Sequence, residues 1–496
     1  MSHADCQGCS EYLQLTRRQF MAAAGGTALA ASAPAWLPRV ALADDFCSTR
    51  DVLVYIFLRG GADGLSLCPP IGEDEYYLRR PTLAIPRPDS GHPMAAIDLD
   101  GFFGFPKVLE PLMPAYQAGH LLVIHACGIN DTSRSHFDMQ RFAEVGKPAD
   151  ITLGSGWIGR HLASIPPMVP GSILRGVGVN YGLQQSLVGG PKSISVPKPE
   201  QYGLGGDAGT LAARKAVLEQ MYAGVGEPLQ TSAITSQQTI DLLNSINFNG
   251  YQPAGGAVYP NSTLGLSLRS TAALIKAEVG VEAIAVDNLN SWDTHVSQGS
   301  VQGGMANSMA TLASALAAFH ADIYAGNGRN VTIIVQTEFG RRLQENGGLG
   351  TDHGHGGVMF VIGGNITGGR VLSHWPGLQP EQLFEGLDLA VTIDYRDVLA
   401  EIVQHRLGNP NLSFVFPDYT PKFEGVTAQC QATAGDLNCD GAVNVDDVSP
   451  FVGALIDRDK QQAESPGCDV MRADLNADGQ IDGRDIQQFT DKVLGM

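Results

Sequence analysis

Asp51-Val52-Leu53-Val54-Tyr55-Ile56-Phe57-Leu58, followed at once by Arg59-Gly60-Gly61-Ala62-Asp63-Gly64-Leu65, reads as a buried strand that ends in a sharp turn. A short unbroken apolar run closed by glycine and aspartate suits a strand in a covered sheet. The same grammar recurs downstream. Leu121 to His125 is followed by Cys127 to Asp131 and then Thr132-Ser133-Arg134-Ser135-His136-Phe137-Asp138, where Asp, Thr and Ser mark a helix start. Ala283 to Val286 precedes Ser291-Trp292-Asp293-Thr294-His295 and then an amphipathic helix with Met309, Leu312, Leu316, Phe319 and Ile323 on one face. Val331 to Val335 runs into Thr337-Glu338-Phe339-Gly340-Arg341-Arg342, and Thr351-Asp352-His353-Gly354-His355-Gly356-Gly357 leads into Val358 to Ile362.

This alternation predicts an α/β domain, a mostly parallel sheet flanked by helices. In such sheets ligands collect at the carboxyl ends of the strands. Asp63, Ser133, Asp293, Glu338 and His353 all follow strands or strand-like runs. Acidic and imidazole groups converging from separate strands, with a nucleophile beside them, are what a divalent metal site needs. The Gly-Gly pairs at 60–61, 205–206 and 255–256 are loops, because none has the strand-GxGxxG-helix setting of a phosphate-binding fingerprint.

A chain of 496 residues predicts two or more domains, and 44% apolar with 17% charged residues is the composition of a folded globular protein. A formal net charge of −19 makes nucleic acid and anionic membranes poor partners. Residues 1–43 read as a twin-arginine signal peptide: Arg17-Arg18, a weakly apolar run from Ala22 to Trp36, and Ala41-Leu42-Ala43 for the peptidase. That run is too short and too rich in Ala and Gly to span a bilayer, and no later segment reaches about 18 uninterrupted apolar residues. The expectation is a periplasmic, cell-surface or extracellular protein with no integral span after cleavage. Cleavage removes Cys6 and Cys9. Cys47, Cys68, Cys127, Cys430, Cys439 and Cys468 remain, and the preferred pair is Cys439 with Cys468.

Residues 435–496 carry the EF-hand loop pattern twice. Asp436, Asn438 and Asp440 stand at loop positions 1, 3 and 5, Gly441 at 6, Ala442 offers its carbonyl at 7, and Asp447 closes at 12. Asp474, Asn476, Asp478, Gly479, Gln480 and Asp485 repeat the set. Each loop leads into a short helix, through Phe451 and Leu455 in one and Ile486, Phe489 and Val493 in the other; no convincing helix precedes either loop, so the pair is predicted to be a small α-helical module of half EF-hands holding two calcium ions. The tandem resembles a type I dockerin, which implies a cohesin-like or cell-surface partner and an association with polysaccharide breakdown. The loops begin 38 residues apart, longer than the usual dockerin repeat, and Pro450 sits near the start of the first helix.

Between about residues 48 and 425, the quoted motifs at 60–65, 133–137, 292–295, 337–342 and 351–357 resemble the domain-of-unknown-function 1501 family of exported bacterial proteins. That family is similar in turn to the alkaline phosphatase and sulfatase superfamily. The resemblance implies an alkaline phosphatase-like fold over residues 44–425 and one or two divalent metals. It implies metal ligands among Asp63, Asp293, His295, Glu338, Asp352, His353 and His355. The nucleophile is one of Thr132, Ser133 and Ser135, with Ser133 the leading choice and Arg134 holding the anionic group. Where the superfamily carries Asp-His, this chain has Glu338-Phe339, so one imidazole is missing from that place.

Each residue also has a plain structural role open to it: Asp63 as a turn former, Ser133 as a helix cap, Asp293 with His295 as a surface pair, Glu338 bridged to Arg341 or Arg342. His353-x-His355 in a glycine-rich loop is the hardest to place without a metal. The leading expectation is an exported metal-dependent hydrolase of phosphate or sulfate esters. The alternative is a non-catalytic cell-surface or carbohydrate-assembly protein that keeps the hydrolase fold.

Overall fold

The computed structural model describes residues 50–495, apart from 180–181, 228, 289–291, 326–329, 429–433, 439–442, 466–467 and 477. The segment read as an export signal, Cys47, Cys430, Cys439 and the loop residues Asp440 and Ala442 lie outside the described residues.

The opening strand is β1 (Val52–Leu58), and its residues alternate between two apolar layers. Val54, Ile56 and Leu58 belong to one layer, Leu53, Tyr55 and Phe57 to the other. Successive strand side chains point to opposite faces, so a run with no polar position is what a sheet covered on both sides demands. The other strands of its sheet are β2 (Leu121–Gly128), β3 (Gly176–Val179), β4 (Ser193–Ser195), β5 (Ala283–Asn288), β6 (Val331–Thr337), β7 (Gly357–Gly363), β8 (Arg370–Leu372) and β9 (Ile393–Asp394). They form one nine-stranded sheet in the order β8-β2-β7-β6-β1-β5-β3-β4, with β9 pairing β2. The pairings are parallel except that β7 runs antiparallel to both of its neighbours, β2 and β6.

Helices α1 (His136–Val145), α2 (Trp157–Ser164), α3 (Thr263–Lys276), α4 (Gly304–Ile323) and α5 (Tyr395–His405) flank the sheet. Phe142 of α1, Trp157 of α2 and Ile402 of α5 pack with Tyr55 and Phe57 on one face, while Leu268 of α3 and Leu316 and Phe319 of α4 pack with Val54 and Ile56 on the other. The expected α/β architecture is therefore present. The reversed direction of β7 has a functional consequence. It brings residues 351–356, which precede β7, to the same rim as the segments that follow β1, β2, β5 and β6. Two glycines let β1 end there. Gly60 (φ 126°) lies so close to the next segment that a Cβ would meet the Asp293 backbone nitrogen at 2.8 Å, and a Cβ on Gly61 (φ 65°) would strike the Phe339 ring at 2.4 Å.

The last sixty residues bury a cluster of their own: Leu437, Phe451, Ala454, Val470, Ala473 and Phe489, with the two phenylalanine rings stacked 3.9 Å apart. The half-EF-hand expectation needs one correction. A helix does come between the loops, α6 (Val448–Ile456) being followed by α7 (Arg458–Glu464) and then a 3-10 turn, Val470–Ala473, that abuts Asp474. This inserted helix accounts for the long loop spacing. Pro450 falls in the first turn of α6, where its missing N–H would have had no partner in the helix. The closing helix is α8 (Ile486–Val493). Cys68 and Cys127 are free and buried, Cys468 is disulfide-bonded, and its expected partner Cys439 is outside the described residues. No helix among the described residues is long and apolar enough to cross a membrane.

Candidate metal centre

Four segments of the rim deliver side chains to one point. Ser135 caps α1, accepting the Asp138 N–H at 3.4 Å, so the first helical residue, His136, sits at the helix mouth. Glu338 follows β6 directly, Asp293 and His295 lie in the loop after β5, and His353 lies just ahead of β7.

The three imidazoles are held in the same way. His136 Nδ1 lies 2.7 Å from Glu338 Oε1, His295 Nδ1 lies 3.3 Å from Asp352 Oδ1, and His353 Nδ1 lies 2.8 Å from the carbonyl oxygen of Arg134. A carbonyl only accepts, and so does an ionised carboxylate. Both carboxylates are held ionised. Burial pushes the Glu338 carboxyl up, but the bonds from His136 and Gln140 outweigh it and the net shift is downward. The Asn346 amide, ahead of a smaller opposing burial effect, keeps Asp352 below the usual carboxylate range. Each Nδ1 therefore carries the hydrogen, and each ring turns its Nε2 lone pair inward. An outer carboxylate or carbonyl that fixes a histidine in this manner is the usual second layer of a metal site.

The three Nε2 atoms converge on Asp293. His295 Nε2 is 3.0 Å and His353 Nε2 3.3 Å from Asp293 Oδ1, His136 Nε2 is 3.5 Å from Oδ2, and the His295 and His353 Nε2 atoms are 3.0 Å apart. Ligand atoms of His136, Asp293 and His353 all fall within 4.8 Å of one another. His136 Nε2 is buried yet makes no hydrogen bond. Inward lone pairs at these separations, beside a carboxylate, need a proton or a cation among them. The donor set fits a cation: three nitrogens and one oxygen suit zinc or a neighbouring first-row divalent metal better than magnesium or calcium. The Glu338 bond raises the His136 pKa, burial opposing it, and makes that ring a more basic ligand.

Arg341 braces the centre from beneath. It is 1% exposed, and it donates to Asp293 Oδ1 (2.6 Å), Gly61 O (2.6 Å), Thr351 O (3.0 Å) and Gly60 O. Burial pushes the Asp293 carboxyl up, but this guanidinium together with His295 and His136 outweighs it and holds the group below its ordinary value. Phe339 packs its ring 4.9 Å from His136 and 4.8 Å from His353 and dries one wall of the site.

Several expected residues stand elsewhere. Asp63 is fully buried and its carboxylate is taken by the Arg80 fork (2.5 and 3.1 Å), Ser66 Oγ (2.7 Å) and Gln298 Nε2 (2.7 Å), so it is not brought to the cluster. Glu338 and Asp352 hold histidines through Nδ1 and do not join Asp293. The salt bridge of Arg341 runs to Asp293, not to Glu338. His355 stacks on Phe384 (4.2 Å), away from the other imidazoles, and burial lowers its pKa to about 4. The Arg134 guanidinium is spent on Asp388 (2.6 Å) and Glu385 (2.7 Å), and it is the carbonyl of this residue that serves the centre. Ser133 donates its hydroxyl to Asp138 at 3.1 Å and is not the cap, which is Ser135. His136 is a further residue of the site that residue type alone does not mark within 133–137; its sequence signal is its place directly after a cap residue at a strand-to-helix turn.

The two C-terminal loops repeat one hydrogen-bond pattern. Asp447 accepts the N–H groups of Leu437 (2.7 Å), Asn438 (2.9 Å) and Asn444 (2.9 Å), loop positions 2, 3 and 9. Asp485 accepts those of Leu475 (2.8 Å), Asn476 (3.1 Å) and Asp482 (2.9 Å), the same positions. Both carboxylates are fully buried. In the second loop, Asp474 accepts the N–H groups of Asp478 (3.1 Å) and Gly479 (2.7 Å), and Asp478 accepts that of Gln480 (2.9 Å). In the first, Asp436 is buried against Arg472 at 3.1 Å.

A family model described as "Protein of unknown function (DUF1501)" matches residues 128–408. No curated protein matches. Among solved structures, the chain is similar to the alkaline phosphatase from the Antarctic bacterium TAB5, at 10% identity over 64% of this chain and 92% of that one, with a TM-score of 0.24. A superposition that loose carries no argument about fold or chemistry, which rest on the geometry above.

Proposed function

The chain belongs to the DUF1501 family, and on that premise we propose that it is an exported, metal-dependent hydrolase of phosphate or sulfate esters. The supporting observation is the set of three imidazoles, each tethered at Nδ1 and each offering Nε2 to Asp293. His136, His295, His353 and Asp293 would hold a divalent ion, which when bound would supply Lewis acidity toward an ester oxygen. The protein's own groups do the rest. Glu338, Asp352 and the Arg134 carbonyl hold the rings in the ligating tautomer. Arg341 keeps Asp293 ionised and aimed, and Phe339 excludes water from one side. Ser133, hydrogen-bonded to the exposed Asp138, is the candidate nucleophile, with Asp138 placed to accept its proton. The reading assigns one ion to the large domain, since Asp63 already has a guanidinium for a partner.

The test is metal analysis of the mature protein together with hydrolysis of aryl phosphate and aryl sulfate. One transition-metal equivalent with turnover on either ester supports the reading, and a metal-free, inert protein ends it. Ser133→Ala should abolish turnover while leaving metal content intact.

For the C-terminal segment the proposal is two calcium ions, one per loop, and attachment to a cohesin-like or cell-surface partner. The support is the shared pattern at Asp447 and Asp485, which gathers both loops around a buried carboxylate. Metal affinity of this kind is folding free energy. Chelation of calcium is therefore expected to make residues 435–495 of the intact chain sensitive to limited proteolysis while the large domain resists. Unchanged cleavage with and without chelator would remove the calcium assignment.

A further inference from the structure

We infer that Gln298, oriented by Asp63, is a positioning residue that sets the spacing between the two ligand-bearing segments 292–295 and 351–353. The inference rests on the metal reading above and concerns a group that touches neither ion nor substrate.

Gln298 Oε1 accepts two hydroxyls, from Thr294 at 2.9 Å and Thr351 at 2.6 Å. Thr294 stands between Asp293 and His295, and Thr351 directly precedes Asp352 and His353. One oxygen thus pins both segments, next to a backbone bond from Thr351 N to Thr294 O at 3.0 Å. The amide can face only one way. Its nitrogen donates to Asp63 Oδ2 at 2.7 Å, and an ionised carboxylate accepts only, so the oxygen must face the threonines. Burial pushes the Asp63 carboxyl up, but Arg80, with the bonds from Ser66 and Gln298, outweighs it and keeps the group ionised. Arg80 in turn donates to the carbonyls of Leu343 (2.8 Å) and Arg342 (2.7 Å), the stretch that follows Arg341.

Every member of this chain is nearly or wholly withdrawn from solvent: Asp63, Arg80, Gln298 and Thr351 at 0% and Thr294 at 5% exposure. A buried, fully satisfied polar network resists sliding, because any shift leaves groups unpaired in a medium that cannot solvate them. Here the parts that would slide are the segments carrying Asp293, His295 and His353. Asp63 keeps its place at the end of β1 and acts on the site through the amide instead of through a metal bond.

The test uses cobalt(II) titration of the full mature chain, read by affinity and by the visible ligand-field spectrum. Outer groups that orient ligands typically change metal affinity about 10- to 100-fold. Gln298→Leu is expected to weaken cobalt binding about tenfold and to change the spectrum. A Thr294→Val/Thr351→Val double variant, which removes only the two hydroxyls, should do the same and decides the matter if Gln298→Leu does not fold. Asp322→Asn is the control. It breaks another buried hub, in which Asp322 holds Tyr251, Tyr259 and Lys276, about 27 Å along α4 from that helix's start. It should cost stability and leave the cobalt spectrum unchanged. Wild-type affinity and spectrum in the folded double variant would overturn the inference, as would an equal change in Asp322→Asn. A wild type that takes up no cobalt would instead bring down the metal reading itself, and this inference with it.

Discussion

Asp293→Ala protein is expected to emerge with less than a tenth of the transition metal of the wild type and no measurable ester hydrolysis. Asp293 is the point on which His136, His295 and His353 converge, and the one anionic group among the four. Its loss leaves three neutral nitrogens beside the Arg341 guanidinium, whose terminal nitrogen lies 2.6 Å from Asp293 Oδ1. A cation would then meet an uncompensated positive charge where its counter-charge had been, and at short range that repulsion is worth several kcal/mol even at an intermediate effective dielectric. The fold should survive. Asp293 is half-exposed, and Arg341 keeps its bonds to the carbonyls of Gly61 and Thr351. Metal analysis alongside circular dichroism checks the prediction. Full metal occupancy in a folded Asp293→Ala protein would remove the proposed centre.

Arg80→Met should be strongly destabilising, costing about 3–5 kcal/mol, the usual penalty for leaving one member of a buried ion pair alone. Asp63 and Arg80 are both fully buried, and Ser66 and Gln298 supply hydrogen bonds to the carboxylate but no charge. The pH dependence distinguishes this cause from loss of packing. In the wild type the Asp63 pKa is depressed in the folded state, Arg80 outweighing burial, so the group contributes stability above its unfolded pKa near 4 that is lost as pH falls through the folded value. In Arg80→Met burial, the largest influence on Asp63, is opposed only by the hydrogen bonds from Ser66 and Gln298; the folded pKa is then expected above the unfolded one, and the sign reverses: the variant gains stability relative to wild type as pH falls toward 4. Denaturant midpoints of both proteins between pH 7 and 4 would show the gap narrowing. An Asp63→Leu/Arg80→Met double variant should recover a good part of the loss, since replacing both charges removes the unpaired one. A gap independent of pH would mean that packing, not charge, dominates.

What could be read without coordinates follows from local periodicity. Five predominantly apolar runs predicted five strands of the sheet, β1, β2, β5, β6 and β7, because a strand covered on both faces needs apolar side chains on both. Met309, Leu312, Leu316 and Phe319 revealed the face of α4 that meets the sheet, and the alternation of runs implied an α/β arrangement with chemistry at one rim. What could not be read is which neighbour in a motif turns inward. In 133–137 the hydroxyl of Ser133 drew attention, while the capping of α1 by Ser135 puts His136 at the mouth of the site. Glu338 and Asp352 looked like ligands by type; only distances show them one atom layer out, holding the rings of the proposed centre.

Asp63 is the clearest division between the two kinds of information. Its place at the end of β1 is a local property, written in the apolar run Val52 to Leu58 and the Arg59-Gly60-Gly61 that follows it. Its partner is not, because Arg80 and Gln298 reach it only through the packing of separate segments, and a carboxylate becomes a ligand or an anchor according to which cation arrives. The position of His353 is decided in the same way. It meets the other histidines because β7 enters the sheet against the direction of its neighbours, and strand direction is set by long-range pairing that no local pattern encodes.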